Sequence, residues 1–521
     1  MLRHTFAVFA LFLGLYVLTA GGHLYSPDEE IMFRTTEALA TRGTLAIEPI
    51  RTGDDSTFAS ARGLDGREYA QYGIGNSVFA VPFYYAGALA TRLVDDATAL
   101  RWLEFRTTSQ VEAEGPGRGH ALLLRFAVSF FGSFVGAATC ALLFLLVVRL
   151  ERGAASGPDA PGGPHATPVR VAWLTTALYG AGTMAWPHAR TYFSEPLATF
   201  FVLLAFAAAA GRGTPSVRAC LGAGVAFALA LLTRLDSVFV FPALVLFLLL
   251  RQGEGSAGSL RAALAQSPAV LLRGAVSRPF LVRTAAFAAP LAAATFLVLL
   301  LNRLHFGGWL ASAYADQPEG IRFTTPLLAG LYGFLFSAGK SVFLFSPAVL
   351  LGIAGFGVFA RRHPAMAIGA AATVLLTVLV HARWQNWAGG WCWGPRHIFL
   401  AHVFLVLPAA GFVLRRTRAR AAAFLAVLAV GAAVQLYGTS QNFIDFYVLY
   451  YRTPDTTPNA YALYSGEDAT PMRLVAPIND SIYVPQNTQW YRYGEMWALG
   501  YRDNLWLRLG ARAGGTEPAV R

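Results

Sequence analysis

The sequence predicts an all-α, polytopic membrane protein of about eleven transmembrane helices, with a long first loop and a small C-terminal segment on the outer face. Three observations lead there. Of the 521 residues, 55% are hydrophobic and only 13% charged, and the mean hydropathy is positive, so the chain carries more apolar surface than one water-soluble core absorbs. Repeated runs approach or exceed the roughly twenty apolar residues that a span requires. Arginines gather in alternate short loops, which is the pattern of the positive-inside rule.

The first run, around 5–22, follows Arg3 and His4 and resembles a signal peptide. Thr19-Ala20-Gly21-Gly22 is a poor cleavage site, however, and many spans follow, so the run reads as the first helix. Residues 23–120 then form a long outer loop. Within it, Tyr69 to Val94 is apolar enough to suggest a span, but counting it would reverse every later loop and put the arginine clusters outside. It is assigned to a helix along the membrane surface, with Tyr84 and Tyr85 toward the headgroups.

Further runs lie around 121–149, 169–187, 195–211, 217–234, 236–250, 280–302, 341–360, 366–383, 397–414 and 421–438. With a cytoplasmic N-terminus, the inside segments are 149–170, 212–218, 251–283, 361–365 and 415–420. They are rich in Arg and hold only Glu151, Asp159 and Glu254 as acids. The Gly-, Pro- and Ala-rich stretch 152–168 reads as a flexible linker. The segment 251–283, with Arg251, Arg261, Arg273, Arg278 and Arg283, is predicted to rest on anionic lipid. The division is then a transmembrane domain, 1–438, and a C-terminal outer segment, 439–521, expected as a small irregular or partly stranded cap.

The formal charge of +12 does not indicate a nucleic-acid partner, because the basic residues form no stripe on a soluble module. Cys140 and Cys220 fall in apolar runs and Cys392 in a Trp-rich loop, a spacing that suits neither a disulfide framework nor a metal site.

Several constellations carry possible chemistry. Tyr25-Ser26-Pro27-Asp28-Glu29-Glu30 follows the first span. Pro27 favours a helix start, so the three acids occupy its first turn. They either complement the helix dipole or present a general base at the membrane surface. Glu195 precedes Pro196 in Arg190-Thr191-Tyr192-Phe193-Ser194-Glu195-Pro196, again as a helix-start acid or a second site carboxylate. Lys340, the single lysine, lies in Phe336-Ser337-Ala338-Gly339-Lys340, either snorkelling at a helix end or meeting a phosphate. Trp384 to His397 holds four Trp, three Gly and Arg396. Anchoring in an interfacial belt explains some of that, while aromatic faces for a sugar and an Arg fork for a phosphate explain the rest. Arg234 and Asp236 occupy a tight outside turn and either pair with each other or mark function.

Ser26-Pro27-Asp28-Glu29 after one span, the following surface helix, the Glu195-Pro196 pair, the Lys340 loop and the Trp-Gly-Gly to Gly-Pro-Arg string together resemble the GT-C superfamily of membrane glycosyltransferases. More narrowly they resemble the branch of protein O-mannosyltransferases and lipid A aminoarabinose transferases. The resemblance covers roughly residues 1–438. It implies a multi-pass protein of the bacterial inner membrane that moves a sugar from a polyprenyl-phosphate donor to a hydroxyl acceptor on the outer, periplasmic face, with inversion. It also implies Asp28 as base, with Glu29 and Glu195 beside it, and Lys340, Arg396, Arg190 and Arg234 on the donor phosphate. Trp391, Trp393, His397 and Tyr72 are expected at the sugar or lipid. The chain departs from the pattern in lacking a Lys-Pro pair before the surface helix, where it has Gln71-Tyr72-Gly73-Ile74-Gly75-Asn76. No metal-ligand spacing is visible, so no obligatory metal is expected and a divalent ion stays open. The rival readings are a lipid-linked sugar transporter or flippase, a polysaccharide polymerase or ligase, and a scaffold.

Overall fold

The structure is a computed structural model that describes residues 1–51, 57–104, 116–155, 167–211, 213–257, 277–314, 322–414, 417–450 and 480–513. Helices dominate. Five are long and apolar enough to cross a bilayer: Arg118–Ala154, Arg278–Phe306, Pro364–Arg383, Arg396–Val413 and Arg418–Thr439. Shorter apolar helices, Leu2–Leu18, Glu195–Ala209, Val217–Thr233 and Leu327–Phe336, accompany them, and the chain is a multi-pass membrane protein.

The runs read from the sequence all carry helix, with differences that have physical causes. The run at 341–360 splits into Val342–Phe345 and Val349–Arg362 around Pro347, which has no amide hydrogen to continue the ladder. Pro408 likewise separates Phe399–Val406 from Ala409–Val413. Leu327–Phe336 lies outside the expected runs, because ten residues fall short of the length read as a span.

The first loop opens with the helix Pro27–Arg42, as its sequence predicts. Ser26 is the N-cap and accepts from the Glu29 amide, Pro27 sits in the first turn with Asp28, Glu29 and Glu30, and Gly43 ends the helix in a left-handed conformation. Two small antiparallel sheets follow. One pairs Ala46–Ile47 and Ser60–Arg62 with the central strand Glu68–Ala70, and the other pairs Ile50–Arg51 with Thr57–Phe58. Strands of two and three residues are too short to leave an alternating pattern in sequence, which is why this region reads as plain loop.

The stretch expected as a surface helix from Tyr69 begins as strand and becomes helix at Gly75–Ala90. Gly73 packs directly on the backbone at the end of Val217–Thr233. A Cβ there would stand 2.5 Å from the Leu232 carbonyl oxygen, so only glycine permits the contact that seats Tyr72 beside the Arg234 turn.

In the C-terminal segment, expected as a small irregular or partly stranded cap, 451–479 and 514–521 lie outside the described residues. Its described residues are helical, at Phe443–Tyr450, Asp480–Tyr483, Gln489–Ala498 and Leu505–Ala513, with no strand among them. The buried residues Gln489, Tyr493 and Met496 recur at helical spacing. Most of the expected 152–168 linker and of the lipid-resting segment 251–283 lies outside the described residues.

Candidate active site

The three consecutive carboxylates that start Pro27–Arg42 point to three environments, because successive helix residues turn by about 100°. Glu30 is locked by Arg125 at 2.6 Å and Arg34 at 3.0 Å. Burial opposes its charge, but the two guanidiniums outweigh burial and hold its carboxyl below the usual range. Glu29 turns inward, fully buried, and its Oε2 accepts the Tyr25 amide at 2.8 Å. Burial pushes its pKa up to about 8, against the pull of the Tyr25 and Tyr192 amides. At neutral pH Glu29 is therefore mainly a neutral acid. Asp28 alone faces the cleft, and its Oδ2 accepts from Arg396 at 2.9 Å.

Arg396 begins an alternating chain of charge. Its Nε stands 3.6 Å from Glu195 Oε1, which Arg234 approaches at 2.8 Å from the other side. Arg234 also grips Asp236 at 2.6 Å, and His381 Nε2 stands 3.3 Å from the same Asp236 oxygen. The order is thus Asp28, Arg396, Glu195, Arg234, Asp236, His381. Glu195 reaches this chain from the first turn of Glu195–Ala209. The Arg396 guanidinium also lies over the Phe193 ring, 4.5 Å from its centroid.

Two tyrosines border the carboxylate end of the chain. The Tyr72 phenol is pushed well up, first by burial and then by the charge of Asp28. Tyr314 is raised to about 12 by burial, with Arg234 opposing and Asp236 and Asp28 adding to the rise. Both line a mainly apolar cavity of about 90 Å³ whose walls include Leu232, Leu235, Val298, Leu301 and Phe306. A smaller cavity, about 30 Å³, lies deeper among Glu195, Arg234, Asp236, His381 and His397. The His397 ring runs nearly parallel to those of Trp384 and His381, with centroids 5.5 and 5.6 Å away.

Other residues expected at the site lie elsewhere. Lys340 is buried, and its Nζ donates to the carbonyls of Gly390, Cys392 and Gly394 at 3.3, 3.2 and 3.1 Å. Gly389, Gly390 and Gly394 all have positive φ, and this backbone wraps the carbonyls around the ammonium. Lys340 therefore staples the tryptophan loop. Arg190 is buried in a second cluster, where it bonds Asp503, the Tyr25 hydroxyl at 2.6 Å and the Thr439 carbonyl at 2.5 Å. Trp393 is 2% exposed and packs on Phe345, Tyr493 and Trp490. Trp391 stacks on Tyr447 at 5.5 Å. The structure thus brings Asp28, Glu195, Arg234, Arg396, His397 and Tyr72 to one region, sets Glu29 behind it, and engages Lys340, Arg190 and Trp393 in packing.

Sequence reasoning missed Tyr314 and His381, and left Asp236 either as a partner for Arg234 or as a mark of function. A histidine at the end of an apolar run was the one available signal for His381. Tyr314 had none. Among the described residues no group of three His, Cys, Asp or Glu side chains converges as a metal site.

Comparison with known proteins places this geometry beside two solved structures. The crystal structure of ArnT from Cupriavidus metallidurans bound to undecaprenyl phosphate matches with a TM-score of 0.48 and 14% identity, over 87% of this chain and 66% of that one. The archaeal oligosaccharyltransferase AglB from Archaeoglobus fulgidus, solved with an inhibitory peptide and a dolichol-phosphate, matches with a TM-score of 0.38 and 12% identity, over 91% and 61%. The chain spans less than two thirds of the length of either structure. No family model matches the chain, and no curated protein does.

Proposed function

We propose that this protein transfers a sugar from a polyprenyl-phosphate carrier to a hydroxyl acceptor at the outer face of a bacterial inner membrane, its N-terminus lying in the cytoplasm. The observation that carries the reading is Asp28. It is the one carboxylate of its turn that faces the cleft, held at 2.9 Å by Arg396 and in contact with Tyr72, which together with Tyr314 lines a mainly apolar cavity.

The acceptor oxygen attacks the anomeric carbon and its proton passes to Asp28. The bond from that carbon to the phosphate oxygen breaks, the electron pair leaves with the phosphate, and configuration inverts. Arg396, in contact with Asp28, and Arg234, joined to it through Glu195, meet the charge that develops on the leaving phosphate. They supply the positive charge that a divalent ion supplies in other sites, so we assign no obligatory metal. Lys340 and Arg190 act as positioning residues, the first for the loop that carries Arg396 and the second for the turn that precedes Asp28. The acceptor is a lipid, polysaccharide or protein hydroxyl.

The test is mass spectrometry of polyprenyl-phosphate sugars and envelope glycans in a deletion strain, complemented with wild type or Asp28→Asn at equal membrane abundance. Wild type restores a missing sugar and Asp28→Asn does not. Full restoration by Asp28→Asn would remove the base from this scheme. A strain with no glycan change would remove the transferase reading altogether.

A further inference from the structure

The last turn of an α-helix leaves carbonyls without partners, and in the first helix, Leu2–Leu18, the C-terminal segment supplies them. Trp506 Nε1 donates to the Val17 carbonyl at 2.9 Å, Asn504 Nδ2 to Leu18 at 3.0 Å, and the Leu505 amide to Ala20 at 2.9 Å. Leu505 is buried, and a Cβ on Gly22 would meet it at 2.9 Å. A few residues earlier, the Tyr437 hydroxyl at the end of Arg418–Thr439 donates to the Trp490 carbonyl at 2.9 Å. The segment is thus fastened across the ends of two apolar helices.

Those two helices set its depth. Leu2–Leu18 has 17 residues, which at 1.5 Å each give about 26 Å, against about 30 Å of hydrocarbon in a bilayer. Arg418–Thr439 has 22 residues, or about 33 Å by the same measure. The carbonyls of Val17 and Leu18 therefore lie at the boundary between acyl chains and headgroups, and so does whatever is bonded to them. The side chains exposed there are Trp506 and Leu507, the latter 63% exposed, and along the same segment Tyr491, Trp497 and Leu499. The Arg502 guanidinium covers the Trp497 ring at 4.1 Å. The two helices beneath also expose apolar side chains, Leu11 and Leu18 on the first and Val430 and Leu436 on Arg418–Thr439.

We propose that the helices Gln489–Ala498 and Leu505–Ala513 form an interfacial membrane-docking surface, in which Trp506, Leu507, Trp497 and Leu499 enter the headgroup layer of the membrane that the chain spans. Trp and Tyr are the residues whose part-polar rings suit that layer, and an amphipathic helix binds it through its apolar side. The C-terminal segment is then held from both sides, by the helix ends beneath it and by lipid around it. This inference uses only the fold and stands or fails apart from the transferase reading.

The experiment is depth measurement by spin labelling of the full chain in nanodiscs of phosphatidylethanolamine and phosphatidylglycerol. Leu507→Cys and Leu499→Cys are labelled separately, and labelled wild type gives the background from the three buried cysteines. Oxygen, which concentrates in the bilayer, is expected to relax both labels several-fold more than a water-soluble nickel chelate does. Both positions are exposed, so the substitutions leave packing intact, and gel filtration checks each variant. A label at 507 relaxed mainly by the nickel chelate overturns the proposal. The same result at 499 alone confines the docked surface to Leu505–Ala513 and overturns it for Gln489–Ala498.

Discussion

Glu29→Gln separates the buried acid from the working one. The substitution keeps the shape of the side chain and its acceptor for the Tyr25 amide, and removes only the ability to ionise. Burial raises the Glu29 carboxyl from 4.5 to about 8, so the folded protein holds a proton that the unfolded chain releases. A raised carboxylate contributes stability below the unfolded pKa that is lost as pH rises through the folded one. Between pH 6 and pH 9 the loss is about two pH units at about 1.4 kcal/mol each, or roughly 3 kcal/mol. Entropy of unfolding scales with chain length, so for 521 residues that is a fall of a few degrees in Tm. The assay is thermal unfolding of the detergent-purified protein, followed by tryptophan fluorescence at pH 6, 7.5 and 9. Wild type is expected to lose stability across the range and Glu29→Gln to lose distinctly less. Equal slopes for the two proteins would refute a neutral, buried Glu29.

Asp28→Asn is expected to lower transfer by about 10²–10⁴-fold without lowering Tm, read by product mass spectrometry with a purified lipid-phosphate donor. Lys340→Met keeps most of the volume but leaves three carbonyls without their donor. At about 1.5–3 kcal/mol for a charged hydrogen bond, the expected loss is a clear drop in Tm and faster proteolysis of the tryptophan loop. Arg396→Lys retains charge but not the planar fork, so it should weaken donor binding while Arg396→Gln abolishes it; binding of undecaprenyl phosphate followed by native mass spectrometry checks both. Chelation with EDTA is expected to leave transfer unchanged, and loss restored by a divalent ion would show that the two arginines do not suffice.

Local chemistry made part of this site legible in the sequence. Ser26-Pro27 before three acids specifies a capped helix start, and Gly389, Gly390 and Gly394 around the Trp string mark a loop whose backbone leaves ordinary φ. What the sequence does not carry is which residues meet. Asp28 and Arg396 are 368 positions apart, and no local pattern encodes their contact. The same holds for Lys340, whose charge suggests a phosphate until its ammonium is found among three carbonyls of a loop about fifty residues on. Arg190 reads as a site cation because it precedes Glu195, yet it serves Asp503, over three hundred positions later. Burial decides these roles, and burial is a property of the assembled fold. The C-terminal helices were obscured for another reason, since Gln489–Ala498 and Leu505–Ala513 are only ten and nine residues long, short for a helical period to be read from sequence.

The alternating chain constrains how a charged donor enters. Asp28, Glu195 and Asp236 are each already matched to Arg396 or Arg234, so a phosphate cannot approach either guanidinium without taking the place of a carboxylate. Asp236 is the hardest to displace, because Arg234 holds it through both Nε and Nη2 and His381 adds a third contact. Asp28 is the easiest, held by Arg396 at 2.9 Å with the Tyr72 phenol beside it, and with a side chain that is 21% exposed. In the proposed transferase, a phosphate that reaches Arg396 therefore displaces Asp28 first. That exchange leaves the carboxylate without its counter-ion at the moment the donor is seated. Donor binding and the release of Asp28 then become one event in the proposed transferase, and Glu195, held between both arginines, keeps them in place while it occurs.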